Sequence, residues 1–267
     1  MKAVEFQGGK VAYQVKGKGN KIVLLHGFCE DHRVWDNFQS DLLEENHRVL
    51  TIDLPGFGQS TCLPSPSIAA MAEAVNVVIE ALKFSSFILI GHSMGGYVSL
   101  AYAERYPEKL LGLGLFHSHS YADPEDKKDL RTKSIHFIEQ YGHILFVKQL
   151  IPKLFTTNYG RSNAFLLDKL IYRAAKFEAQ GITGALKAMR DRIDRSAVLS
   201  QVPCPVLFII GKQDGAIPHN TSIAQTHLPK TASIHLLDKV AHMGMFEAER
   251  HTQKIIRDFA VFCVNQT

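Results

Sequence analysis

The first residue in this chain that could do covalent chemistry is a serine between two glycines. Ser93 stands in Gly91-His92-Ser93-Met94-Gly95, directly after the apolar run "FILI" and directly before the helical pattern "YVSLAYAERY". A strand must turn sharply into a helix here, and a Cβ at 91 or 95 would crowd the neighbouring backbone. Such a turn pushes the serine up out of the sheet with its hydroxyl exposed. The pattern G-x-S-x-G between a strand and a helix is the nucleophile elbow.

A hydroxyl is a weak nucleophile unless a base takes its proton, and a histidine base needs a carboxylate to orient it. In the elbow arrangement the three follow in the order serine, acid, histidine. After "PVLFII" comes "GKQDGAIP", with Asp214 just beyond a strand end, where parallel sheets present their sites. After "SIHLLD" comes "KVAHMGMFE", with His242 in the loop before the last helix. Ser93, Asp214 and His242 would converge on one edge of one sheet. Asp238 is a rival acid, closer to His242 in sequence, but as the end of a strand it reads as facing solvent or capping a turn. The rival bases are His117, His119 and His235. The first two follow the strand after the elbow helix and are candidates for the pocket wall; the third lies inside a strand. His26 reads as holding its loop by hydrogen bonds, and His92 as filling the elbow. The backbone N–H of Met94, at the start of a helix, and that of Phe28, in "HGF", could together form an oxyanion hole.

These residues need a scaffold, and the pattern around them describes one. Two short strands near 2–6 and 10–15 open the chain. Strands follow in "KIVLLHGF", "RVLTIDLPGFGQS", "FILI", "LLGLGLFHS", "PVLFII" and "SIHLLD". Helices are predicted over 31–45, with Val34, Trp35, Phe38 and Leu42 on one face, over 67–84, after Ser93, and over 247–264. Alternating strands and helices imply an α/β fold with a mostly parallel central sheet covered on both faces. Between 119 and 198 the strands stop, and helical periodicity is punctuated by Gly142, Pro152, Gly160 and Gly181. We therefore expect a core of 1–118 and 199–267 with an inserted helical cap over 119–198. The cap's apolar stripes predict a pocket for a small or medium, mostly uncharged acyl group.

Composition narrows the setting. The chain has 267 residues, 46% of them hydrophobic, and a formal net charge of +4. The charge is scattered without a basic block, which argues against nucleic acid as a partner. Cys29, Cys62, Cys204 and Cys263 form no CxxC pair, which suits a reducing cytoplasm. Cys29, next to Phe28, is placed to edge the pocket. The N-terminal residues lack the apolar stretch of a signal peptide, and no run reaches the roughly 18 apolar residues of a membrane span. The glycines of "DLPGFGQS" read as turn residues at 56 and 58, because a phosphate loop would need a lysine and a helix start.

Taken together, "HGF", "DLPGFGQS", "GHSMGGY", "GKQD" and "AHMGMFE" resemble, in order and spacing, the α/β-hydrolase superfamily, and the resemblance covers nearly the whole chain. It implies Ser93 as nucleophile, Asp214 as acid, His242 as base, and Phe28 and Met94 as hole donors. The oxyanion loop is "HGF" and not the "HGGG" of lipase-type members, so the site resembles the smaller esterases, lactonases and carbon–carbon hydrolases. Epoxide hydrolases and haloalkane dehalogenases carry aspartate at the elbow, so Ser93 argues against those activities. The expected activity is hydrolysis of a small to medium carboxylic ester or related acyl bond. The alternatives are carbon–carbon bond cleavage or lactone opening by the same triad, or a small-ligand receptor on the same fold. No metal or organic cofactor is expected, and a small-molecule substrate is the expected partner of a monomer or homo-oligomer.

Overall fold

The computed structural model describes residues 1–266. Eight strands form one sheet: β1 (Lys2–Phe6), β2 (Gly9–Gly17), β3 (Asn20–Leu25), β4 (His47–Ile52), β5 (Phe87–His92), β6 (Leu110–Phe116), β7 (Val206–Gly211) and β8 (Ala232–Leu237). Their spatial order is β1-β2-β4-β3-β5-β6-β7-β8. β1 and β2, and β2 and β4, pair antiparallel; every other neighbouring pair is parallel. The C-terminal ends of β3, β5, β6, β7 and β8 therefore open on the same edge. β5 and β7 are buried along their whole length, as a strand covered on both faces must be.

The core helices are α1 (Phe38–Glu44), α2 (Ile68–Ala81) and α3 (Met94–Arg105). Between β6 and β7 run α4 (Glu125–Tyr141), α5 (His143–Leu150), α6 (Thr157–Ser162), α7 (Ala164–Ala174), α8 (Ala179–Arg190) and α9 (Ser196–Gln201). The chain closes with α10 (His219–Ile223), α11 (Gly244–Glu247) and α12 (Glu249–Val264). α2 and α3 pack together, α3 against β5 and β6 and α2 against β1 and β2, while α1 packs with α12. Among the described residues no helix is long and apolar enough to cross a membrane.

Two local expectations change. The helix predicted over 31–45 is split into a 3-10 turn, His32–Trp35, and α1. Its apolar face survives, since Val34, Trp35, Phe38 and Leu42 are all buried. The split follows from a long-range anchor: Asp53 Oδ1 accepts both the backbone N–H of His32, at 2.9 Å, and its Nδ1, at 2.7 Å. Gly160, expected to punctuate the helical block, lies inside α6, and Gly181, expected to do the same, lies inside α8. A Cβ on Gly181 would come within 2.2 Å of the Gly56 carbonyl oxygen, so Gly56 and Gly181 let the loop after β4 and a helix touch backbone to backbone.

Candidate active site

Ser93 lies between the end of β5 and the start of α3 with φ 50° and ψ −114°, a strained conformation for a residue with a Cβ. The surroundings hold it there. Its N–H donates to the Phe116 carbonyl at 2.9 Å, and its own carbonyl accepts from Gly96 N–H and from Ser118 Oγ. The flanking glycines are sterically required: a Cβ on Gly91 would sit 2.2 Å from the Gly95 carbonyl oxygen, and one on Gly95 2.6 Å from that of Leu25. Ser93 is partly exposed between buried neighbours and lines a cavity of about 650 Å³. That volume falls within the usual range for small-molecule sites.

His242 lines the same cavity. Its Nδ1 donates to Asp214 Oδ2 at 2.7 Å, which leaves Nε2 as the nitrogen able to accept a proton. The other Asp214 oxygen accepts the N–H groups of Ala216 and Ile217, each at 2.8 Å. Burial by itself would raise the Asp214 pKa, but the His242 ring, then His117 and the Ile217 N–H, outweigh it and lower it to about 2. The rival acid, Asp238, is exposed and pairs with Lys212 on the surface. The rival base His235 lies in β8 within hydrogen-bond distance of Ser233 Oγ. His117 packs behind Asp214 with its Nδ1 accepting the Gly211 N–H, and burial pushes its pKa well down. His119 does reach the cavity wall.

The loop carrying His242 is tied on every side. Its N–H donates to the Leu154 carbonyl at 3.0 Å. Glu247 Oε2 accepts from the N–H groups of Ala241 and Met243, while Oε1 accepts from Thr156 N–H. His92 Nε2 donates to the His242 carbonyl at 2.8 Å, and His92 Nδ1 donates to Glu30 Oε2 at 3.1 Å. With an acceptor facing each ring nitrogen, the site favours the imidazolium form of His92. Burial opposes that charge, but Glu30 and the His242 carbonyl overcome it and raise the His92 pKa. Burial likewise opposes the Glu30 carboxylate, which His92 and the Gly27 N–H hold below its usual range. Glu30 and Glu247 escaped the sequence reading. The available signal was a carboxylate two residues after "HGF" and another in "AHMGMFE", each close to a motif that carries the site.

Phe28 lines the same cavity as Ser93 and Met94 follows the serine directly; among the described residues neither backbone N–H makes a hydrogen bond. Met94 is the first residue of α3, where an N–H has no intrahelical partner. His26 fixes the loop of Phe28, donating from Nδ1 to the Gly27 carbonyl and accepting the Leu54 N–H on Nε2. Cys29 lies outside the cavity, contrary to expectation; it lines a small separate recess, and burial raises its thiol pKa well above the usual value. Asp31, His32 and Asp53 come close enough together to consider for a metal ion. Their ligand atoms already serve the loop: Asp31 holds Arg33, and Asp53 holds His32 and the Gln59 N–H.

Comparison with known proteins agrees with this architecture. Residues 20–141 match the family model of the α/β hydrolase fold. A thermophilic esterase from Thermogutta terrifontis, solved with malate bound, superposes with a TM-score of 0.92 at 25% identity, covering 98% of this chain and 99% of that one. By its sheet topology and by these matches, the chain has the α/β-hydrolase fold. Among curated relatives, a pimeloyl-[acyl-carrier protein] methyl ester esterase of Yersinia pseudotuberculosis is 28% identical, over 91% of this chain and 95% of the relative. A 2-hydroxy-6-oxononadienedioate/2-hydroxy-6-oxononatrienedioate hydrolase of Burkholderia vietnamiensis is 25% identical, over 94% and 90%.

Proposed function

We propose that this protein is a serine hydrolase that cleaves a small to medium carboxylic ester or related acyl bond through an acyl-enzyme on Ser93. The observation that carries the reading is the His242–Asp214 hydrogen bond of 2.7 Å, facing the same cavity as a serine held in a strained elbow. In this reading His242 Nε2 takes the Ser93 proton as Oγ attacks the acyl carbon. The Phe28 and Met94 N–H groups stabilise the oxyanion that forms. His242 then gives the proton to the leaving alcohol, and Asp214, still ionised, stabilises the imidazolium. Water, deprotonated by His242, releases the acid and restores Ser93.

Both the methyl ester esterase and the Thermogutta esterase support an ester as the bond cleaved. The dienedioate hydrolase supports carbon–carbon cleavage by the same three residues as the second reading. Pre-steady-state turnover of a chromogenic ester tests the proposal. The expected result is a burst of alcohol stoichiometric with enzyme, followed by sustained turnover. A single burst that stalls would instead mark a receptor with vestigial chemistry, and no burst with rapid ketonisation and cleavage of a dienol diketone would favour the carbon–carbon reading. Four cysteines without a disulfide support a reducing, cytoplasmic setting.

We also propose that the block over 119–198 acts as a cap that selects substrate and breaks no bond. Ser93, Asp214 and His242 all lie outside it, while Phe137 and Phe146 from α4 and α5 line the cavity above Ser93. Phe137→Ala and Phe146→Ala are expected to shift the ratio of kcat/KM between short and long acyl esters by about tenfold while leaving burst stoichiometry unchanged. An unchanged ratio in both variants assigns selectivity to the sheet loops.

A further inference from the structure

The cavity wall carries charge of nearly one sign. Lys127, Arg131, Lys133 and Lys153 line it, against one acidic residue, Glu30. Glu30 is already committed, since its Oε2 accepts from Gly27 N–H and from His92. Lys127 and Arg131 lie one turn apart on α4 and so share a face, which Ser134 and Phe137 continue along the cavity. The pocket expected to take a mostly uncharged acyl group thus has four cationic residues in its lining.

Lys127 and Arg131 are partly withdrawn from solvent. The Arg131 side chain is 13% exposed, and its Nε donates to Asp123 Oδ2. Asp123 must also serve the buried Arg192, whose Nη1 lies 2.7 Å from Oδ1. Lys127 Nζ is half-buried and donates to the Ala216 carbonyl at 2.9 Å, two residues from Asp214. The ionised Asp214 also attracts Lys127, although its oxygens hydrogen-bond only His242 and two backbone N–H groups. Three cations, Lys127, Arg131 and Arg192, therefore face two carboxylates, and only Asp123 pairs with either arginine. His119, 3.4 Å from Arg192, adds no charge: burial first, then Arg192 with Lys127 and Arg131, pushes its pKa down to about 3. Arg192 is fully engaged, donating to the Tyr121 and Met189 carbonyls with its guanidinium over the Tyr97 ring at 4.0 Å. The terminal nitrogens of Arg131, in contrast, donate to no protein acceptor among the described residues, and they belong to the residue on the cavity wall.

An excess of positive charge withdrawn from water is costly unless something neutralises it. We propose that the substrate supplies the missing charge: its acyl chain carries a carboxylate that Arg131 and Lys127 bind, with the scissile acyl carbon at Ser93. This inference rests on the serine-hydrolase reading and names the substrate class for it, a half-ester of a short dicarboxylic acid. A planar carboxylate suits the open edge of the Arg131 guanidinium, which can donate two parallel hydrogen bonds to it.

The test measures binding to the Ser93→Ala protein by calorimetry, so that affinity is read without turnover. The probes are the monomethyl esters of glutarate, adipate and suberate, each against the uncharged methyl ester of equal chain length. At one of the three lengths the half-ester is expected to bind about tenfold tighter or better. Arg131→Gln and Lys127→Met, added to Ser93→Ala, should each erase that preference, while Arg131→Lys retains part of it. Lys127→Met is the safeguard if Arg131→Gln disturbs the Asp123 cluster, because Lys127 makes a single hydrogen bond to a carbonyl. Uncharged esters binding as tightly at all three lengths would overturn the inference, as would variants that weaken both members of a pair equally. Tighter binding of an analogue with phosphate in place of the far carboxylate would overturn the carboxylate assignment. A preserved preference in Ser93→Ala, with no wild-type turnover of any ester, would uphold the anion subsite and sink the hydrolase reading alone.

Discussion

Ser93→Ala is expected to lower kcat on any ester substrate by about 10⁴-fold or more and to abolish covalent labelling by a fluorophosphonate. The size follows from the division of labour in such sites. Removing the nucleophile leaves only what the oxyanion donors and binding supply, a residual on the order of 10³–10⁴ over water. The fold should not change. Ser93 takes its unusual φ of 50° because Gly91, Gly95 and the Phe116 carbonyl surround the turn, and alanine meets the same steric demands there as serine. The melting temperature should therefore stay within a few degrees of wild type. Intact-mass analysis after labelling gives the check. A fluorophosphonate adduct that persists in the variant, on Ser118 or any other residue, would show that the elbow serine is not the nucleophile.

The second large effect separates two aspartates. Asp214→Asn is expected to lower kcat by about 10⁴-fold, because the imidazole loses the partner that fixes its tautomer and stabilises its charge. Asp238→Asn should change kcat less than about twofold, since an exposed surface pair with Lys212 contributes little to anything. The Asp214 effect should hold across the neutral range. With its pKa lowered to about 2, first against burial by the His242 ring and then by His117 and the Ile217 N–H, Asp214 is ionised throughout it. No limb of the wild-type pH–rate profile above about pH 4 should then come from its titration. Steady-state kinetics on the two variants decide the matter: equal losses, or a larger loss at Asp238, would remove Asp214 from the mechanism.

Much of this site could be read from the chain because its signals are local. Gly91 makes room for the Gly95 carbonyl within the pentapeptide itself, whereas Gly95 makes room for the Leu25 and His26 carbonyls at the end of β3, which no local pattern shows. The apolar face of Val34, Trp35, Phe38 and Leu42 was likewise legible, since periodicity reports burial whatever the backbone does. The continuity of that helix was not, because the Asp53 carboxylate that pins His32 arrives from the end of another strand. Gly181 was misread for the same reason: a glycine that ends a helix and one that admits a neighbouring backbone look alike until Gly56 is in place.

By itself the sequence determined the strand–turn–helix around Ser93, the alternation that makes the sheet mostly parallel, and the candidates at its edge. Periodicity and turn sterics span only a few residues, and a parallel sheet must send every strand's C-terminal end to one side. The tertiary structure alone decided which carboxylate meets His242. Asp214 and His242 are 28 residues apart, and they come within 2.7 Å because β7 and β8 lie side by side, while Asp238 is left facing solvent. It also decided the charge of the pocket. The balance among Lys127, Arg131, Arg192 and Asp123 is a sum over side chains from separate elements, and burial, which no local pattern encodes, turns an ordinary surface charge into one that calls for a counter-ion.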